Sequence, residues 1–476
     1  MSASCGAGRK WCIIRRVGGE TIIAAGPARR AEPRSVAFDQ KDSSTISAQS
    51  LNIIPRPEHG VSRSLISPNA LKVLNRLHQA GFRACLVGGG VRDLLLGREP
   101  KDFDVATDAT PEQVRQQFRN CRLIGRRFRL AHVLFGREVI EVATFRAASD
   151  PDVDDEARVN DTGRLLRDNV YGSIEEDAWR RDFTVNALYY DISDFSIRDY
   201  VGGVEDLKAG RLRIIGEPEA RFREDPVRML RAVRFAAKLG FTLDSELQAL
   251  IPRLAPLLHD IAPARLYEEV LKLFHGGVAL NTFEMLRHYH LFEPLFPLTE
   301  AVLAEEENHF PHTLISHALA NTDARVAECK PVTPAFMFAA LLWEPMRREM
   351  PDPDQADMSE IQAIQIGGAR VVTQQARHVS IPKRFSLPMR EIWSLQPRFQ
   401  RRQGRRALQL LEHPRFRAAY DFLLLRCAAG EVEQELCDWW TEIQTQAPEA
   451  RAERVAAGRP RKRRRPRRRK PRSEHG

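Results

Sequence analysis

The chain has 476 residues, 43% hydrophobic and 29% charged, which is enough for a catalytic domain plus at least one further packed unit in a soluble protein. The net charge of +10 is confined to one place: eleven Lys and Arg without an acid lie between Arg459 and Arg472, so everything else carries −1. Seven cysteines without a CxxC pair argue against a disulfide scaffold or zinc site and fit a reducing cytoplasm. No apolar run approaches the roughly 18 residues of a membrane span, and the stretch after Arg15-Arg16 is too short, and broken by Glu20, for an export signal.

Residues 1–60 mix Gly, Ser, Ala, Arg and Pro without a period and read as a disordered extension, with order beginning near Ser67. Leu71, Leu74, Leu77 and His78 then recur at helical spacing, and Gly81 sits where a helix ends. A short apolar strand, Ala84 to Val87, runs into three glycines, and a helix from about Val91 to Leu96 follows. Lys101 to Ala106 reads as a strand, Pro111 to Phe118 as a helix, and Val133 to Phe135 with Glu138 to Phe145 as two more strands. This is a mixed α/β unit ending near Asp206. Beyond Leu207 amphipathic helical patterns continue to about residue 445. In Pro226 to Leu239, Met229, Ala232, Val233 and Ala236 share an apolar face, while Arg228, Arg231, Arg234 and Lys238 form a basic stripe. Such a stripe is either a solvated face or a contact for phosphates.

The segment Leu86 to Thr107 holds the densest chemistry. Gly88, Gly89 and Gly90 stand between a strand and a helix, where absent side chains let backbone N–H groups approach a phosphate. Asp102 and Asp104 flank Phe103, and alternation along a strand projects both carboxylates from one face. Two such carboxylates repel each other unless a cation lies between them. A divalent metal resolves this, and magnesium in particular accepts a few carboxylates plus phosphate oxygens. The plainer reading is a solvated Asp-x-Asp at a sheet edge.

These residues resemble the nucleotidyltransferases of the DNA polymerase β superfamily that comprise bacterial poly(A) polymerases and bacterial-type tRNA CCA-adding enzymes. The phosphate loop matches Gly88, Gly89, Arg92 and Asp93, and the metal pair matches Asp102 and Asp104. RRDFTVNAL, Arg180 to Leu188, is similar to the family's ribose- and triphosphate-contacting motif and implies nucleotide contacts by Arg181, Asp182 and Asn186. EDPVR, Glu224 to Arg228, is similar to its base-recognition motif and implies that Asp225 and Arg228 read the Watson–Crick edge. Asp225 before Pro226 is also a good helix cap by itself. Asp182 ranks first as third catalytic acid; Glu141 is the other candidate metal ligand, or else an acid paired with an arginine such as Arg146.

The resemblance implies an α/β polymerase β-like nucleotidyltransferase palm over 61–206. All-α parts follow: a neck at 207–275 for base recognition and RNA, a body at 276–445 for RNA, and a disordered Arg-rich tail at 446–476. It implies Mg2+ or Mn2+ as cofactor, ATP as substrate and RNA 3′ ends as acceptor. Three features favour AMP addition over CCA addition. The segment Leu123 to Val133, with Arg126, Arg127 and Arg129, and the basic region from Arg401 both resemble the poly(A) polymerase branch. The tail suits an enzyme acting on many RNAs. RNA contacts are expected from Arg231, Arg234 and Lys238, and from Arg461, Arg463, Arg464, Arg465, Arg467, Arg468 and Arg469. RNA-decay ribonucleases or RNA chaperones are implied as partners, with a monomer and no membrane. CCA addition is the enzymatic alternative and a silent RNA-binding adaptor the non-enzymatic one. His259-Asp260 lacks the companions of a metal phosphohydrolase and reads as helix-end residues.

Overall fold

The computed structural model describes residues 51–125, 129–147, 170–305 and 313–457. Helix α1 (Pro68–Gln79) starts where Ser67 accepts from the Asn69 N–H and Pro68 presets the first turn. Its buried Ala70, Val73, Leu74 and Leu77 follow the spacing of one helical face and enter the main core.

That core is organised by an eight-stranded sheet. Its strands are β1 (Asn52–Ile54), β2 (Ala84–Val87), β3 (Asp104–Thr107), β4 (Cys121–Ile124), β5 (Leu130–Phe135), β6 (Glu138–Thr144), β7 (Leu188–Asp191) and β8 (Ile197–Asp199). They lie in the order β1-β8-β7-β2-β3-β6-β5-β4, antiparallel except for the parallel pair β3 and β6. Strand β2 is central and buried along its whole length, which suits its apolar Ala-Cys-Leu-Val sequence. Between strands run α2 (Gly89–Leu95), α3 (Pro111–Gln117) and α4 (Ile174–Arg180). The last two open on reciprocal capping boxes, Thr110 with Gln113 and Ser173 with Glu176.

After α5 (Gly203–Ala209) the chain is almost wholly helical. Helices α6 (Pro218–Glu224), α7 (Val227–Leu239), α8 (Ser245–Leu254), α9 (Pro263–Phe274) and α10 (Ala279–His288) come first, and further helices reach Pro448–Ala457. One hydrophobic core runs without a break from the sheet through α7 and α9 to Trp393. A second gathers round Phe399, Phe416 and Trp440, so the region expected as one helical body holds two packing centres. No helix among the described residues is long and apolar enough to cross a membrane.

Four expectations change. Order begins before Ser67, because β1 pairs with β8, Asn52 opposite Asp199, and His59 Nε2 lies 2.9 Å from the Phe195 carbonyl oxygen. A three-residue edge strand is too short to show a period. Strand β3 starts at Asp104 rather than Lys101, leaving Asp102 in the approach to it. Strands β4, β7 and β8 join the sheet although no strand was read there. Finally, although the cysteine spacing argued against a disulfide scaffold, Cys427 and Cys437 form a disulfide, because consecutive helices Phe416–Ala428 and Gln434–Thr445 bring them together without any recognisable spacing motif. Cys85, Cys121 and Cys329 are free. His259 and Asp260 end a short 3-10 segment, as read.

Candidate active site

Strand β2 delivers the chain into Gly88, whose φ of +75° and ψ of −137° suit glycine. A side chain there would meet Arg181, whose Nη1 lies 3.5 Å from the position a Cβ would take. Gly90 has another duty: a Cβ would come 3.3 Å from the Asp102 carbonyl oxygen, so its absence lets α2 lie against the acidic segment.

The register of β2, β3 and β6 sets Val87 and Glu141 on either side of Asp104. Phe103 turns into the core, while Asp102 and Asp104 are both exposed. Although Asp104 reaches solvent, the protein packed around it pushes its carboxyl up to about 6, with Glu141 and Asp102 adding to the effect and Arg181 opposing it. Solvent access screens part of that repulsion, yet its direction marks an acidic group short of positive charge. The Glu141 carboxylate lies 3.3 Å from His132 Nε2.

Asp182 has a different setting. Its Oδ2 accepts from Arg231 Nε at 2.8 Å and also from Nη2; its Oδ1 accepts from the Phe183 N–H at 2.8 Å and Asn186 Nδ2 at 3.3 Å. Burial opposes its charge, but Arg231 and these hydrogen bonds hold the carboxyl below the ordinary aspartate range. Of the two candidates for a third acid, Glu141 therefore stands beside Asp104, and Asp182 is committed to Arg231. Arg92, expected at the nucleotide, is buried in this structure. It is 2% exposed, donates to Asn186 Oδ1 at 2.5 Å and to Asp93 Oδ1 at 2.8 and 2.7 Å, and lies over the Phe235 ring. Its bonds tie the glycine loop to Asn186. Arg181 is held by Tyr189 Oη at 2.9 Å and Asp177 Oδ2 at 3.1 Å, next to Gly88.

On the helical side, Asp225 Oδ1 accepts the Val227 N–H at 3.3 Å, the capping role its place before Pro226 predicts, and Oδ2 accepts from Arg265 at 2.7 Å. Arg228 Nη1 donates to Glu224 Oε2 and to the Arg221 carbonyl, both at 2.7 Å. Arg221 in turn donates to the carbonyls of Arg180 and Arg181 at 2.8 and 2.9 Å, joining α6 to the Arg181-Asp182 segment. Arg221 and Arg265 were not singled out from the sequence, because contacts across about forty residues leave no local signal. The tail arginines, Arg461 to Arg469, and Arg126 and Arg127 lie outside the described residues.

Three family descriptions match in order along the chain. They are the poly A polymerase head domain over residues 84–213, a probable RNA and SrmB-binding site of polymerase A over 240–303, and the polymerase A arginine-rich C-terminus over 356–474. Poly(A) polymerase I of Escherichia coli O6:H1 is 53% identical over 437 residues, covering 89% of this chain and 93% of that one. The chain belongs to the poly(A) polymerase I family. Kinship with CCA-adding enzymes is narrower: that of Bacillus subtilis is 39% identical over 48% of this chain and 55% of its own length. Among solved structures, the Bacillus stearothermophilus CCA-adding enzyme in complex with CTP is similar with a TM-score of 0.53 and 26% identity, over 79% of this chain and 84% of that one.

As a member of the poly(A) polymerase I family, the chain is a nucleotidyltransferase, and its acidic residues fit the divalent ion that such chemistry uses. Among the described residues no three His, Cys, Asp or Glu side chains are gathered closely enough to hold a metal by themselves. A few carboxylates that leave room for phosphate oxygens and water suit magnesium better than a closed cage. Burial first, then the neighbouring Glu141 and Asp102, raise the Asp104 carboxyl, and a cation among these acids would offset the repulsion.

Proposed function

We propose that this chain adds AMP from ATP, without a template, to the 3′ ends of RNA, and that Asp102, Asp104 and Glu141 form its metal-binding face. The observation that carries the reading is the extent of the 53% identity to a poly(A) polymerase I, which spans nearly the whole chain where likeness to CCA-adding enzymes spans about half. A divalent ion on that face would supply the charge that acidifies the attacking 3′-hydroxyl and neutralises the triphosphate.

The chain's own residues do the positioning. The N–H groups around Gly88 and Gly89, with Arg181 beside them, receive triphosphate oxygens. Asp225 accepts from the exocyclic amino group of the base and Arg228 donates to the adjacent ring nitrogen, an arrangement that rejects guanine and uracil. Arg92 and the Asp182–Arg231 pair act as positioning residues, fixing the loop and the helix on which the readers stand. The 3′ oxygen then bonds to the α-phosphorus as the α–β bridge breaks and pyrophosphate leaves. Such tails fit RNA turnover in the cytoplasm, with decay ribonucleases or RNA chaperones as partners.

The test supplies an unstructured RNA, magnesium and each nucleotide separately. Long tails from ATP alone are expected, with incorporation abolished by Asp102→Ala or Asp104→Ala while RNA binding persists. Termination after CCA on tRNA, or full activity in either variant, would refute this reading.

A further inference from the structure

Helix α7 carries Arg228, Arg231, Arg234 and Lys238 along one side, but their partners divide them. Arg228 is tied to Glu224 and Arg231 to Asp182. Arg234 and Lys238 instead line a cavity of about 360 Å³, together with Lys101, Lys272 and His275. Lys101 belongs to the loop leading into β3 and immediately precedes Asp102, whereas Lys272 and His275 come from the end of α9. The cavity therefore joins the sheet domain to the helices that follow. Arg98 secures that junction, donating to the carbonyls of Lys238 and Leu239 at 3.3 and 3.2 Å.

Positive charge here exceeds its compensation. Glu269, bonded to Lys272 at 2.7 Å, offsets one cation. Arg234 Nε and His275 Nε2 are both buried without a hydrogen-bond partner. The Lys238 ammonium is held below its ordinary range, by burial first; Asp93 opposes this, and Arg92, Lys101 and Arg234 add to it. Burial likewise lowers the His275 imidazole, so at neutral pH its ring is an uncharged donor or acceptor. Four cations lining one cavity with no acid in that lining suit an anion with several acceptor oxygens. The volume exceeds that of a lone ion and falls in the range of ligand pockets.

We propose that this cavity is a phosphate subsite for the RNA strand, holding a backbone phosphate just behind the 3′ end through Lys101, Arg234, Lys238, Lys272 and His275. The proposal rests on the reading that RNA is the acceptor. Placement favours the strand over the nucleotide: the glycine loop and Arg181 offer a separate seat for the triphosphate, while Lys101 adjoins the acid that would hold the attacking terminus.

Full-length Lys272→Ala, His275→Ala and Lys101→Ala variants test it, with a labelled RNA oligonucleotide. Binding is followed by anisotropy across a salt series without nucleotide, and KM is measured separately for RNA and ATP. Expected are a roughly tenfold rise in KM and Kd for RNA, a salt slope flatter by ~0.7 for each lysine removed, an unchanged KM for ATP and recovery in Lys272→Arg. A raised KM for ATP with unaltered RNA binding would assign the cavity to the triphosphate and overturn the proposal. So would unaltered RNA binding with a lowered Tm, which would make these cations supports of the fold. Parent protein that binds RNA but transfers no nucleotide would fail the proposed function alone, since the anisotropy arm reads the subsite without transfer.

Discussion

At the scale of single residues, the base-reading role proposed for Asp225 and Arg228 leaves the question of how adenine is told from cytosine. Both bases present an amino donor beside a ring-nitrogen acceptor, so Asp225 and Arg228 can accept either by hydrogen-bond type alone. On that proposal the distinction lies in where the two side chains stand, and Arg265 holds Asp225 while Glu224 holds Arg228. Replacing Arg265 by Ala removes a 2.7 Å ion pair that is one-third exposed, so little stability should go with it, within ~1 kcal/mol. The expected losses are functional: KM for ATP rises several-fold and the preference for ATP over CTP narrows, as competition between the two nucleotides would measure. An unchanged ratio would show that Arg265 does not position the reader. Asp102, Asp104, Asp225 and Arg228 were legible in the sequence because short motifs keep them adjacent in the chain. Arg265, Lys101, Lys272 and His275 were not, since each takes its meaning from a partner on another element. Glu141 was half legible: its strand was readable, but its place beside Asp104 depends on a parallel pairing that no local pattern announces.

At the scale of elements, α7 is the piece on which the site depends. It was readable as a helix almost to the residue, from its apolar face and from Pro226 at its start, because a 13-residue amphipathic helix is a strong periodic signal. How it docks was not readable. Arg231 pins it to Asp182, and Phe235 receives the guanidinium faces of Arg92 and Arg234. In Arg231→Met the Asp182 carboxylate keeps its burial and loses its cation. The cost at neutral pH should be about 3 kcal/mol, the low end for breaking a buried pair, because Arg231 is one-third exposed. The sign with pH follows from the lowered carboxyl of Asp182. A depressed carboxyl contributes stability that is present above the unfolded value of about 3.9 and lost as pH falls through the folded one. The Tm difference between parent and variant should therefore be large from pH 6 to 8 and shrink below pH ~4 as the carboxyl protonates in both. A deficit independent of pH would mean that the methionine disturbs packing rather than charge.

At the scale of the whole molecule, two kinds of RNA contact are proposed from where charge is kept. The subsite proposed between α7 and α9 is built and local, and removing one lysine from it should cost one phosphate's share of the salt dependence. The segment from Arg459 to Arg472, within the region matched as an arginine-rich C-terminus, carries all of the chain's excess charge. Neutralising phosphates with such a segment gives affinity without base specificity, and the gain falls steeply with salt. A chain ending at Gly458 should thus bind single-stranded RNA more weakly at low salt, with a log–log salt slope flatter by up to ~8, at ~0.7 per phosphate neutralised. Its affinity should converge on the parent's as ionic strength rises and screening removes the difference. Nucleotide transfer at saturating RNA should persist, since Asp102, Asp104, Asp225 and Arg228 all lie in the earlier domains. A truncated chain that keeps the parent's slope would place RNA attraction on the folded part, and one that binds RNA normally but transfers nothing would give the tail a part in catalysis.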